Sequence, residues 1–440
     1  MYLTSVTLFF VAALVSGLAA AAPGRPCLPI TNIQLGPRPF YLVDRMDQSS
    51  LKTKLQSCSE RRNFPSDFSI SHRGAPLQFP EHTVESWRAA AREGAGIIEC
   101  DVAFTKDLQL VCRHSQCDLH TTTDILTNPS LAGKCTKPFH PASADGKTKA
   151  SAKCCTSDLT LSEFKSLCGK MDSSNPNATT AQEYQSGTPD WRTNLYTPGC
   201  PKLSSHADYV ALVNSLGLKF TPELKTPEVR MPFQTTIGGV KRNYTQQMYA
   251  QQLVDEYRAA RIDPSRVFLQ SFLPDDILYW IAKEPAFARQ AIYLDERVDT
   301  PEGYEEAVKG MAALANKGVK IMGPPIFALL AVDENGGGNG TRRMVPSMYA
   351  KAAEQAGLGL IAWSLERSGP LERVGMDKEY YYSTVAGLVD GEGDVYDVID
   401  VLARQVGVRG LFSDWPATVT YYANFLLHRG YFGPSTSTRI

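Results

Sequence analysis

No Cys-x-x-Cys pair, no block of basic residues and only one long apolar run occur in this chain of 440 residues. The missing cysteine pairs argue against a cysteine-held metal site. Lys and Arg number 45 against 46 Asp and Glu, a formal net charge of -1. Neither nucleic acid nor an anionic membrane surface is therefore expected as a partner. A Gly-x-Gly-x-x-Gly turn after the first strand is also missing, since HRGAP stands there, which argues against a dinucleotide-binding open sheet. The chemistry has to come from local clusters of side chains.

The single apolar run, residues 8–22 (LFFVAALVSGLAAAA), ends in small residues. It is shorter than the roughly 20 residues that span a bilayer and suits a cleaved secretory signal peptide. The C-terminus, GYFGPSTSTRI, has no hydrophobic tail of the lipid-anchor kind, so no stable membrane anchor is expected. Ten cysteines, most of them in loop-like sequence, fit an oxidising compartment. Cys27 with Cys58 is the natural local pairing, whereas Cys100 and Cys112 lie in apolar strand-like runs and read as buried thiols. Asn177, Asn243 and Asn339 each have Thr two positions on, the pattern of N-glycosylation acceptors. Together these features predict a secreted protein.

Residues 23–66 show no sustained periodicity and read as an irregular extension. Beyond them, eight short apolar runs alternate with helical segments: 68–72, 96–104, 218–225, 266–272, 288–294, 319–324, 358–365 and 410–414. Runs of this kind indicate parallel strands buried on both faces. Eight strand–helix units predict an α/β fold, a closed (β/α)8 TIM barrel, over residues 67–430, with a tail at 431–440. One stretch, about 116–206, breaks the rhythm and holds six of the cysteines. It is expected to be a disulfide-rich insertion after strand 2, with one helical piece at LTLSEFKSLCG. Shorter irregular stretches at 333–341 and 366–397 follow strands six and seven, and all three would sit on the C-terminal face of the barrel.

That face is where charged residues collect. The first strand ends in His72-Arg73-Gly74, the second carries Glu99-Cys100-Asp101 and the third Glu223-Leu224-Lys225. Strand residues two apart point the same way, so Glu99 shares a face with Asp101, and Glu223 with Lys225. Three carboxylates at one mouth repel one another unless a cation joins them. An all-oxygen donor set calls for a hard divalent ion, Mg²⁺ or Ca²⁺. Ion pairing with Arg73 and Lys225 is the structural alternative. His72 and His114 each follow an apolar run beside the acids. Two imidazoles flanking a phosphodiester can take a proton from the nucleophile and give one to the leaving alcohol. His120, His140, His206 and His428 read as structural.

The stretch SHRGAPLQFPEHT…GAGIIECDVAFTKDLQLVCRHS resembles the signature of the glycerophosphodiester phosphodiesterases. TPELKTP, VFLQSF, IAWSL and GLFSDWP are similar to that family's later strands, in order, and TLSEFKSL to a helix of its larger periplasmic or secreted members. The resemblance implies His72 and His114 as the acid/base pair and Glu99, Asp101 and Glu223 as metal ligands. It implies Arg73 and Lys225 as phosphate-binding groups and Glu81 as a supporting residue, for which a role in helix entry is an equal alternative. Gln270 and Trp363 would line the pocket. The family has His-Asp where this chain has His114-Ser115, which bears on how His114 is held.

The expected activity is metal-dependent hydrolysis of a small glycerophosphodiester to an alcohol and sn-glycerol 3-phosphate, with the substrate's neighbouring glycerol hydroxyl as first nucleophile. The rivals are a barrel phospholipase D-like enzyme acting on intact (lyso)phospholipids and a non-catalytic secreted barrel protein.

Overall fold

The computed structural model describes residues 30–336, 342–377 and 379–428. The signal-peptide segment, Cys27, Asn339 and the 431–440 tail lie outside the described residues. Eight parallel strands form the barrel: β1 (Ser66–Ser71), β2 (Ala95–Phe104), β3 (Lys219–Leu224), β4 (Gln270–Ser271), β5 (Ile292–Leu294), β6 (Ile321–Gly323), β7 (Gly359–Leu365) and β8 (Gly410–Ser413). Each pairs with its neighbours in chain order, and β1 pairs with both β2 and β8, which closes the ring.

The interior is filled by Ile70, Ile97, Phe268, Ile292, Leu294, Ile321, Ile361 and Phe412, so the barrel is a packed core rather than a pore. Eight helices follow the strands in turn: α1 (Val84–Arg92), α2 (His206–Ser215), α3 (Gln246–Ala259), α4 (Pro274–Lys283), α5 (Pro301–Asn316), α6 (Met348–Gln355), α7 (Asp394–Val401) and α8 (Pro416–His428). Their starts are written in the sequence. Thr83 caps α1, Ser205 caps α2 with a reciprocal Asp208 bond, and Thr245 and Ser347 cap α3 and α6.

Two expectations are corrected. The extension is not irregular from residue 30 onward, because Arg38–Arg45 and Ser50–Gln56 are helices. Helices of eight and seven residues are too short to display a period, and tertiary contact holds them. Leu42, Val43 and Leu55 are buried, and the Phe40 ring lies edge-on to Tyr421 of α8, 5.2 Å between centroids. Secondly, Cys100 and Cys112 are not thiols but a disulfide. Leu110–Cys112 runs back antiparallel along β2 with Val102 opposite Cys112, so the two outward-facing sulfurs meet. Cys58 is buried, with no disulfide partner among the described residues.

The insertion is stapled by Cys117–Cys155, Cys135–Cys154 and Cys168–Cys200. It has its own apolar cluster, including Leu119, Ile125, Leu126, Phe164, Leu167 and Tyr184. The helical piece read from the sequence is a five-residue helix, Leu161–Lys165, with a Thr160–Glu163 capping box.

Candidate active site

Strand register sets the acidic residues side by side. Asp101 of β2 is opposite Glu223 of β3, and Glu223 is opposite Gln270 of β4. Glu99 lies two residues before Asp101 on the same face. Each of Glu99, Asp101 and Glu223 offers an oxygen within 4.8 Å of the others, and all three are buried. Asp101 Oδ1 is buried without a hydrogen-bond partner among the described residues. Gln270 Nε2 donates to Glu99 Oε1 at 3.0 Å, and Lys225 Nζ lies 2.6 Å from Glu223 Oε1.

This cluster is electrostatically unhappy by itself. Burial, then Asp101 and Glu223, push the Glu99 carboxyl well above its ordinary range. Burial and Asp101, offset partly by Lys225, push Glu223 up to about 8. For Asp101 burial acts upward too, but Lys225 and His82 outweigh it and hold the carboxyl well below its usual range. Acids that oppose one another's ionisation, with an orphan oxygen between them and only hard donors, fit a divalent cation.

The β1 end is shaped by a left-handed turn. Arg73 has φ 57°, and its N–H donates to Glu99 Oε2 at 2.6 Å. Gly74 follows at φ 102°, where a Cβ would sit 2.2 Å from Ser86 Oγ, so glycine is required. The Arg73 guanidinium donates to Glu81 Oε2 at 3.1 Å and lies 3.8 Å from Asp101 Oδ2. Glu81 thus faces the site. His114 comes in on the return strand, whose next residue, Arg113, donates its N–H to Asp101 O at 2.7 Å. Ser115 Oγ donates to Glu228, which also pairs with Lys153 of the insertion at 3.1 Å.

His72, Arg73, Glu99, His114, Glu223, Lys225, Gln270 and Trp363 all line one cavity of about 590 Å³. Asp101 lies beneath it and Glu81 behind Arg73. Phe272, Trp363 and Tyr381 form an aromatic wall, with Trp363 Nε1 anchored on Gly323 O at 2.8 Å. Burial and the Arg73 charge lower His72 to about 4. Burial, then Arg73 and Lys225, lower His114 well below its ordinary value. With no phosphate bound, burial and the neighbouring cations thus disfavour the charged form of both imidazoles.

Four residues near this site escaped sequence reasoning. His82, fully buried at φ 52°, places Nε2 at 2.8 Å from Asp101 Oδ2. Asp414, just past β8, places Oδ1 at 2.5 Å from His72 Nδ1. Arg192 and Arg367 each donate to Asp414 Oδ2 at 3.0 Å. Asp414 could have been found by the strand-end argument that picked out the others.

The model of the glycerophosphoryl diester phosphodiesterase family matches residues 72–418. The chain belongs to this family. Membership makes it a phosphoric diester hydrolase by descent, on the TIM barrel expected. It is 53% identical over 254 residues to an "Extracellular protein" of Arthroderma benhamiae, covering 58% of this chain and 98% of that one. A 49-residue stretch is 47% identical to the Probable glycerophosphodiester phosphodiesterase 1 of Mycobacterium tuberculosis, 11% of this chain and 18% of that protein. Among solved structures, a Silicibacter pomeroyi protein provisionally assigned as a glycerophosphoryl diester phosphodiesterase superposes with TM-score 0.51 at 16% identity, covering 86% and 98% of the two chains. That likeness speaks to the fold.

Proposed function

We propose that the protein is a secreted, divalent-cation-dependent glycerophosphodiester phosphodiesterase that releases sn-glycerol 3-phosphate from small glycerophosphodiesters. The observation that carries this reading is the convergence of Glu99, Asp101 and Glu223 at the cavity that His72 and His114 line. Glu99, Asp101 and Glu223 would hold the cation, Mg²⁺ or Ca²⁺. When bound, it neutralises charge that builds on the non-bridging phosphate oxygens. Arg73 and Lys225 bind those oxygens as well, Glu81 steadies Arg73, and Gln270 and Trp363 border the substrate.

His72 is the base. Arg73 Nε donates to His72 Nε2 at 3.3 Å, and a guanidinium only donates, so Nε2 carries the lone pair and Nδ1 the proton. His72 Nε2 takes the proton of the substrate's free glycerol hydroxyl as its oxygen bonds to phosphorus. The bond to the head-group oxygen breaks, and His114, which enters the cycle as an imidazolium favoured by the bound phosphodiester's negative charge, gives that oxygen its proton and is left neutral. Water then opens the cyclic phosphodiester with the proton roles reversed. The aromatic wall and the cavity of about 590 Å³ suit a small, deacylated substrate.

Secretion, with residues 1–22 removed and the barrel at 67–430 retained, is supported by four disulfides and by the name of the Arthroderma relative. Asn177 and Asn243 are exposed, as glycosylation requires. The test is turnover of glycerophosphocholine by chelator-stripped protein. Activity that vanishes on stripping and returns with Mg²⁺ or Ca²⁺ supports the reading, and equal activity in stripped protein removes the cation from it.

A further inference from the structure

Asp414 is completely buried and has both carboxylate oxygens committed. Oδ1 meets His72 Nδ1 at 2.5 Å, while Oδ2 accepts from Arg367 Nη1 and Arg192 Nη2, each at 3.0 Å. The first arginine comes from the loop after β7. The second comes from the insertion, 222 positions away in sequence.

Arg192 is held as firmly as a core residue. Its side chain is 4% exposed and stacks on the Trp191 ring, 4.6 Å from guanidinium to centroid. Trp191 in turn packs against Gly369, where a Cβ would lie 3.0 Å from the indole nitrogen. Arg367 also donates to Asp172 Oδ2 at 3.2 Å. Asp172 and Arg192 both lie inside the loop closed by Cys168–Cys200. The insertion is therefore wired to His72 through a single carboxylate, and its two contributed charges balance.

We propose that the insertion is a working part of the active site, its Arg192 acting with Arg367 as a positioning residue that fixes Asp414 and, through it, the His72 imidazole. The proposal rests on the reading of His72 as the base. Two donors on Oδ2 stop Asp414 from rotating, so Oδ1 must face Nδ1, the ring is held in one orientation, and Nε2 faces the substrate. Without Arg192 the carboxylate turns about its remaining partner and the ring populates a second tautomer.

The test is steady-state kinetics of Arg192→Ala and Arg192→Lys on glycerophosphocholine, with Leu195→Ala, an exposed position in the same loop, as control. Arg192→Ala is expected to lose about tenfold or more in kcat, with KM within about twofold and the melting temperature unchanged. Arg192→Lys recovers part of kcat because it keeps one donor. Ring nitrogen shifts of His72 change from one tautomer to a mixture in Arg192→Ala. Wild-type kcat in Arg192→Ala, or a loss that follows a fall in melting temperature and is no smaller in Arg192→Lys, overturns the proposal. His72→Asn separates the two readings. Wild-type turnover there removes His72 as the base, whereas a dead His72→Asn beside an unaffected Arg192→Ala removes only the coupling.

Discussion

His82 Nε2 lies 2.8 Å from Asp101 Oδ2, and the opposite oxygen of the same carboxylate is left without a hydrogen-bond partner among the described residues. The histidine donates to one oxygen and so presents the other to Glu99 and Glu223. An outer partner of this sort orients a ligand and tunes its basicity.

His82→Asn keeps a residue that tolerates the left-handed backbone but is too short to reach Asp101. Divalent-cation affinity of stripped protein, measured by titration calorimetry, is expected to weaken by about 10- to 100-fold. An unchanged affinity would mean that Asp101 needs no such support.

Asp414→Asn should disable His72 without disturbing the fold. The two arginines donate to one oxygen of Asp414, so the asparagine must turn its carbonyl to them and its amide NH₂ to His72. That forces Nδ1 to accept and moves the ring proton to Nε2, where the lone pair is needed. The expected loss is about 10²- to 10⁴-fold in kcat, read in steady-state assays against an unchanged melting temperature.

The disulfide Cys100–Cys112 braces β2 from the face opposite Glu99 and Asp101. The double variant Cys100→Ser/Cys112→Ser is expected to lose about 3 kcal/mol of stability, as opening a loop of this length does. Denaturant unfolding in the presence and absence of cation checks it. A loss below about 1 kcal/mol would mean that the return strand is held by its ladder alone.

Asp118 offers a pH-dependent test away from the acidic triad. Burial, with help from Glu81 and Asp172 against Arg113, pushes its carboxyl up to about 7, and its Oδ1 has no hydrogen-bond partner among the described residues. A carboxyl raised in the folded state contributes stability below its unfolded value and loses it as pH rises through the folded value. Asp118→Asn should therefore melt like the wild type near pH 4 and increasingly above it up to about pH 7, levelling off beyond. Scanning fluorimetry across that range decides. A constant gap would show that the carboxyl does not titrate there.

The barrel was legible because buried parallel strands are written as short apolar runs: all eight overlap the segments read from the sequence, and six lie wholly inside them. The residues expected at the strand ends converge because the parallel registers of β2, β3 and β4 set Asp101 opposite Glu223 and Glu223 opposite Gln270. What stayed hidden depends on pairings distant in sequence. Asp414 meets His72 only because β8 closes on β1, and Arg192 reaches Asp414 only after the insertion folds back. His82 sits in a loop whose left-handed turn no periodicity announces. The Cys100–Cys112 bond was masked by the apolar strands that carry both cysteines, whose alternation hides that the two sulfurs face each other.

The central claim is that this cavity cleaves glycerophosphodiesters on the head-group side of phosphorus with the help of a cation held by Glu99, Asp101 and Glu223. Phosphorus NMR of glycerophosphocholine incubated with purified, cation-loaded protein, beside Glu99→Ala, tests it most directly. The account predicts growth of the sn-glycerol 3-phosphate resonance with the wild type and none with the variant. An unchanged glycerophosphocholine signal with folded wild-type protein, or phosphocholine as the product, would contradict it.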